Sequence, residues 1–137
     1  MNLRRIITTR PGIRLILVLQ IVSLLLFPAA SFSPNTQEWW LPVLLAIMVV
    51  VADVEIIIRR SESTWPWYLM SFAQGFNLIS RLMLLWAHAT LPVDGVMLVN
   101  TPYIALTFAS MVISICILIY TEWPEVRSGL LRPLTSK

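Results

Sequence analysis

The sequence predicts an all-α membrane protein: four transmembrane helices in an up-down bundle, with the N- and C-termini both cytoplasmic. Three observations carry that expectation. Of the 137 residues, 58% are hydrophobic and 12% charged, and the mean hydropathy is +0.79; a soluble domain carries about 25% charged residues. Four apolar runs, at 15–32, 39–58, 67–89 and 102–120, each come close to the roughly 20 residues that a ~30 Å hydrocarbon core requires. Finally, the basic residues are one-sided. Arg4, Arg5, Arg10 and Arg14 precede the first run, Arg59 and Arg60 follow the second, and Arg127, Arg132 and Lys137 follow the fourth. The loops at 33–38 and 90–101 hold neither Lys nor Arg, so the positive-inside rule makes the basic side cytoplasmic.

The leader, residues 1–14, has a basic region followed by an apolar stretch, and "AASFS" faintly resembles a cleavage site. Its length and the Pro11-Gly12 break argue against a removable signal, so the first span is expected to stay. Pro28 should bend or end that span, because proline removes a backbone donor. Pro42, Pro66 and Pro102 fall in the first turns of the other three spans, where proline is tolerated. The six tryptophans lie near span ends, as in an aromatic belt. The outer loop "TLPVDGVMLVNT" carries an Asp-Gly turn signal, and its "VMLV" is expected at the membrane surface. The tail, 121–137, should break at Pro124. All 137 residues form a single integral domain of the cell membrane, inner or plasma, crossed several times.

The net charge of +3 is absorbed by topology, and no basic face with interleaved aromatics points to nucleic acid. Anionic lipid headgroups at the cytoplasmic face are the expected partners of the leader, at about 1 kcal/mol per basic residue. One cysteine, Cys116, reads as a packing residue. One histidine does not give bis-histidine haem ligation within this chain, and no Cys/His cluster has metal-ligand spacing. The four glycines form no phosphate-cradling loop. No catalytic residue, metal site or intrinsic cofactor is expected, and the chain is not read as an enzyme by itself.

Polar residues inside the spans are the informative ones. At about 100° per residue, Gln74, Asn77, Arg81 and His88 share an arc of about 60° on the third span. Tyr103, Thr107, Ser110, Ser114 and Thr121 share a similar arc on the fourth. Small and hydroxylated residues suit close helix–helix contacts in membranes. A central arginine costs about 2.5–3.5 kcal/mol on insertion scales, so Arg81 requires a partner. Asp53, in "ADVEIIIRR", is the candidate. It lies roughly 11 Å from Arg81 along the axis, and the two side chains lean towards each other from antiparallel helices. Gln74 is the alternative partner for Asp53, and a second chain, a lipid phosphate or a cofactor the alternative for Arg81. Glu55 should pair with Arg59 one turn on. His88, beside Trp86 near the outer end, could bond a quinone or ligate a pigment or haem shared with another chain.

Three function classes follow. The favoured one is an accessory or structural subunit of a larger integral membrane complex, of the kind found in respiratory and photosynthetic electron-transfer assemblies, packing on other membrane subunits through the two polar stripes. The second is a quinone- or pigment-binding subunit using His88, Trp86 and the Gln74/Asn77/Arg81 face. The third is a small oligomeric transporter or channel with Asp53 and Arg81 along its path.

Overall fold

The computed structural model describes residues 3–26 and 39–131, so Pro28, the loop at 33–38 and the last residues of the tail lie outside the described residues. Of the described residues, 79% are helical. The helices are α1 (Leu3–Ile7), α2 (Arg10–Leu25), α3 (Trp40–Asp53), α4 (Trp65–His88), α5 (Thr101–Thr121) and α6 (Pro124–Leu131). Two strands, β1 (Thr90–Val93) and β2 (Val96–Val99), join α4 to α5.

Two of the long helices, α2 and α5, start at a side-chain cap followed by proline. Thr9 caps α2 by accepting from the Gly12 amide at 3.4 Å, with Pro11 in the first turn. Asn100 caps α5 through the Tyr103 amide at 3.4 Å, with Pro102 just inside. Both side chains satisfy one of the donors that a helix N-terminus leaves unpaired. The first helix therefore begins five residues earlier than the apolar run at 15–32 implied, because Thr9 and Pro11 nucleate it inside the basic leader. At its far end α3 continues into a π-helical turn, Val54–Ile58, closed by Arg59 N–H on the Val54 carbonyl at 3.1 Å. The expected Glu55–Arg59 pair forms there at 2.7 Å.

α2 packs on α3, α3 on α4, α4 on α5, and α5 back on α2. Side-chain bonds give the directions. Gln74 meets Gln20 while Arg81 meets Leu26, so α2 and α4 run the same way. Gln74 meets Ser114 while Asn77 meets Ser110, so α5 runs against α4. An apolar cluster of Ile13, Leu17, Ala52, Ile56, Trp67, Met70, Tyr120 and Val126 fills the end nearest α1 and α6. Those two short helices close that end. Tyr120 donates to the Ile7 carbonyl at 2.6 Å, Arg4 pairs with Glu125 at 3.4 Å and stands over Trp123, and Arg127 stands over Trp67. The tail breaks at Pro124, as the sequence predicts, but resumes as α6 instead of leaving the fold.

At the opposite end "TLPVDGVMLVNT" is a β-hairpin and not a loop. Thr90 to Val93 pair in register with Val99 to Val96, and Asp94 and Gly95 turn the chain with φ of 51° and 80°. Positive φ at both central residues matches the twist of the flanking strands, which is why Asp-Gly closes tight hairpins.

Among the described residues, two helices are long and apolar enough to cross a membrane: Trp40–Ile58, with a mean hydropathy of 2.6, and Thr101–Thr121, with 2.3. α2 is 16 residues long, and α4, at 24 residues, is diluted by its own polar stripe.

Gly12 sits against the turn between α1 and α2. A Cβ there would stand 2.4 Å from the Ile6 carbonyl oxygen, an overlap that backbone has to relieve. Gly12→Ala should therefore cost about 1–3 kcal/mol and detach α1, seen as faster amide exchange across 3–7 with the α2 amides beyond Leu17 unchanged. Unaltered protection of α1 would show that the approach is not tight.

Candidate functional site

Arg81 is 1% exposed and finds its partners on the backbone of α2. Its Nη1 donates to the Leu26 carbonyl at 2.7 Å, and its Nη2 to those of Ser23 at 3.2 Å and Leu24 at 3.4 Å. A helix leaves its last four carbonyls unpaired and carries partial negative charge there. The fork of a guanidinium suits such a cluster, because its donors are fixed in one plane. The cation therefore closes the end of a neighbouring helix. Leu26, with φ −77° and ψ 69°, has already left helical geometry and turns its carbonyl to the same guanidinium.

From Arg81 a chain of hydrogen bonds runs through the interior to Asp53. Arg81 Nε donates to Asn77 Oδ1 at 3.0 Å, Asn77 Nδ2 to Ser114 Oγ at 2.9 Å, and Ser114 Oγ to Gln74 Oε1 at 2.8 Å. Gln74 Nε2 then donates to Gln20 Oε1 at 3.2 Å, and Gln20 Nε2 to Asp53 Oδ1 at 3.2 Å. Every donor in this series points the same way, from the cation to the anion. Aligned dipoles of this kind polarise one another, so the chain is stronger than its links taken singly. Side branches tie in the remaining groups. Asn77 Nδ2 also reaches Ser110 Oγ, Ser110 donates to the Ser23 carbonyl at 2.6 Å, and Gln20 Nε2 contacts Met70 Sδ at 2.9 Å.

Direct or water-bridged contact between Asp53 and Arg81, expected from depth and lean, is not the arrangement found. Asp53 makes no ion pair among the described residues, and its hydrogen-bond partner is Gln20, not Gln74. Its Oδ2 is buried without a partner among the described residues, and Asp53 lines a cavity of about 240 Å³ between α2 and α3. The α2 carbonyls, absent from any count of side chains, outcompete the carboxylate because they lie at the depth of Arg81. The stripes are also not surfaces turned to other subunits. Gln74, Asn77, Arg81, Thr107, Ser110, Ser114 and Tyr103 are all buried inside this chain, against one another and α2.

Gln20, Ser23 and Met70 belong to the site and were missed by sequence reasoning. Gln20 and Ser23 stand three residues apart in "LILVLQIVSLL", which places them on one face of α2. That spacing was the available signal.

His88 and Trp86 are not brought together. His88 is half-buried, with Nδ1 3.1 Å from the Leu84 carbonyl and its ring stacked on Tyr103 at a centroid distance of 5.2 Å. Trp86 is 91% exposed on the other side of α4. Cys116 faces outward from α5 rather than into the packing. Among the described residues there is no group of three or more His, Cys, Asp or Glu side chains able to hold a metal ion. No protein-family model, curated protein or solved structure matches this chain.

If the carbonyl cluster of α2, and not Asp53, holds Arg81, the two residues should couple only through the hydrogen-bond chain between them. Arg81→Leu loses the four bonds described above at roughly 0.6–1.7 kcal/mol each, or about 2–7 kcal/mol in total. Asp53→Asn keeps an acceptor for Gln20 and should cost less than about 1 kcal/mol. The double variant should recover no more than about 1 kcal/mol of the Arg81→Leu loss, the coupling carried by the chain. Unfolding followed by helicity in mild detergent reads all three. Recovery of more than that would restore a direct Asp53–Arg81 pair.

Proposed function

We propose that this chain is a four-span membrane protein with both termini cytoplasmic, serving as a structural subunit of a larger integral membrane assembly. The membrane half of the reading is supported by an inverted polarity. The bundle buries Gln20, Asp53, Gln74, Asn77, Arg81 and Ser114, while Leu19, Val22, Ile47, Phe72, Met83 and Val112 stand exposed on its outside. Apolar surface on this scale suits lipid or partner helices and not water.

The observation that carries the subunit half is the β1–β2 hairpin. Leu91, Val93, Val96, Met97, Leu98 and Val99 are all exposed on two strands that, among the described residues, pair with no third. A lone two-stranded hairpin is marginal in water, and an apolar one with open edges invites pairing. Pro92 removes a donor from β1, which leaves β2 the more complete edge for strand addition by a partner. The subunit contact moves, on this reading, from the polar stripes to the hairpin. A structural role is favoured over a solute path because the interior polar groups are spent on one another.

Two measurements test the halves separately. Single cysteines at Ser63 and Asp94 should be labelled from opposite sides, Asp94 alone from outside; labelling of Ser63 from outside sinks the orientation. A photoactivatable residue at Met97, irradiated in native membranes, should join the chain to another polypeptide. Adducts to lipid alone would leave the hairpin a membrane-surface element and defeat the subunit reading.

A further inference from the structure

Beyond the hairpin, the other end of the molecule carries a groove along the outside of α2 and α3 that none of the contacts above uses. It opens in a cavity of about 590 Å³ lined by Arg10, Arg14 and Arg60 together with Pro11, Leu15 and Val18. Val18 is shared with the next cavity, about 240 Å³, whose wall is Ile21, Val50, Val54, Ile57 and Ile58, with Asp53 as its one acidic group. Ile21 and Val50 are shared in turn with a third, about 400 Å³, continuing past Leu25 and Ile47 with no polar side chain. The three form one path: a mouth of three guanidinium groups leading into an apolar trough.

Two details set the mouth apart from a general basic surface. Arg14 Nε is buried there without a hydrogen-bond partner among the described residues. Arg60 holds φ at 51°, a left-handed conformation that a residue with a Cβ adopts at a cost, and from the α3–α4 turn it lines the same cavity as Arg10 and Arg14 of α2. Of the acids near Arg60 in sequence, Glu55 is already taken by Arg59 at 2.7 Å and Glu62 stands exposed on the α3–α4 turn.

We infer that this groove is a binding site for an anionic phospholipid, its phosphate held by Arg10, Arg14 and Arg60 and an acyl chain lying along the α2–α3 trough. Charge complementarity selects the head, since guanidinium groups bind phosphate oxygens through paired N–H donors. The trough selects the tail, since it offers only Val, Ile, Leu and Ala side chains beyond Asp53. A hydrophobic cation is disfavoured by the mouth, and a free phosphate leaves the trough unused. The site rests on the proposed orientation, which puts the arginines at the cytoplasmic headgroup level.

The test uses the full chain in nanodiscs of equal phosphatidylglycerol and phosphatidylcholine, with retained lipid identified by native mass spectrometry. Phosphatidylglycerol should be retained selectively. Arg14→Gln with Arg60→Gln should lower that retention about thirtyfold, taking two basic residues at their usual surface contribution. Arg4→Gln with Arg5→Gln removes the same charge from the same end and should leave retention unchanged. Equal loss in both pairs would reduce the effect to general charge and overturn the site. If the glutamine pair fails to fold, Arg14→Lys with Arg60→Lys keeps the charge and should retain phosphatidylglycerol more weakly than the native chain; retention equal to it overturns the guanidinium assignment. Excess inorganic phosphate should not displace the lipid, and displacement would show an anion site without a lipid trough. Labelling at Ser63 and Asp94 in the same cells separates a wrong orientation from a missing site.

Discussion

The fold turns on a cation set against the end of a helix. Arg81 donates to three carbonyls at the C-terminus of α2 and to Asn77 on its own helix, at 1% exposure. In a low-dielectric interior those carbonyls would otherwise be unpaired, and a buried arginine without them would be costly. The two defects cancel. Because a guanidinium reaches several carbonyls only from one direction, the contact also sets the depth of α4 against α2. Asn77 is then placed to grip Ser110 and Ser114 on α5, and Gln74 to reach Gln20. Helix order and depth follow from one residue and its immediate neighbours.

The hydrogen-bond chain running from Arg81 to Asp53 has a second consequence. A guanidinium and a buried carboxyl group are kept apart but joined by amides and a hydroxyl whose dipoles all align. Such an arrangement holds four helices in register without placing two ions in contact, so no side chain has to strip a full ion pair of solvent. It ends at a carboxylate that still has one unpartnered oxygen, beside the widened turn Val54–Ile58. With the polar groups turned inward, chemistry directed at other molecules is left to the two ends: an apolar hairpin at one and an arginine-lined groove at the other.

Much of this was legible in the residues. Helical spacing identified Gln74, Asn77 and Arg81 as one face and Tyr103, Thr107, Ser110 and Ser114 as another, because a 3.6-residue period is a local property. The starts of α4 and α5 follow from proline tolerance, and the Glu55–Arg59 pair from a four-residue spacing. The Asp-Gly turn is equally local, whereas the flanking strands are masked in the sequence by the internal Pro92 and read as a surface loop, although tight-turn chemistry favours a hairpin.

The sequence by itself determined which residues share a face, where helices begin and that an arginine within an apolar helix demands a partner, since each depends on neighbours within a few positions. Only the tertiary structure decided who the partner is. Asp53 had the right charge, but pairing depends on the relative rotation and depth of helices far apart in the chain, and these brought Gln20 to Asp53 and the backbone of α2 to Arg81. A carbonyl is present at every residue and distinguishes none in a sequence. It becomes a ligand for an arginine only where a helix ends and leaves it unpaired at the arginine's own depth.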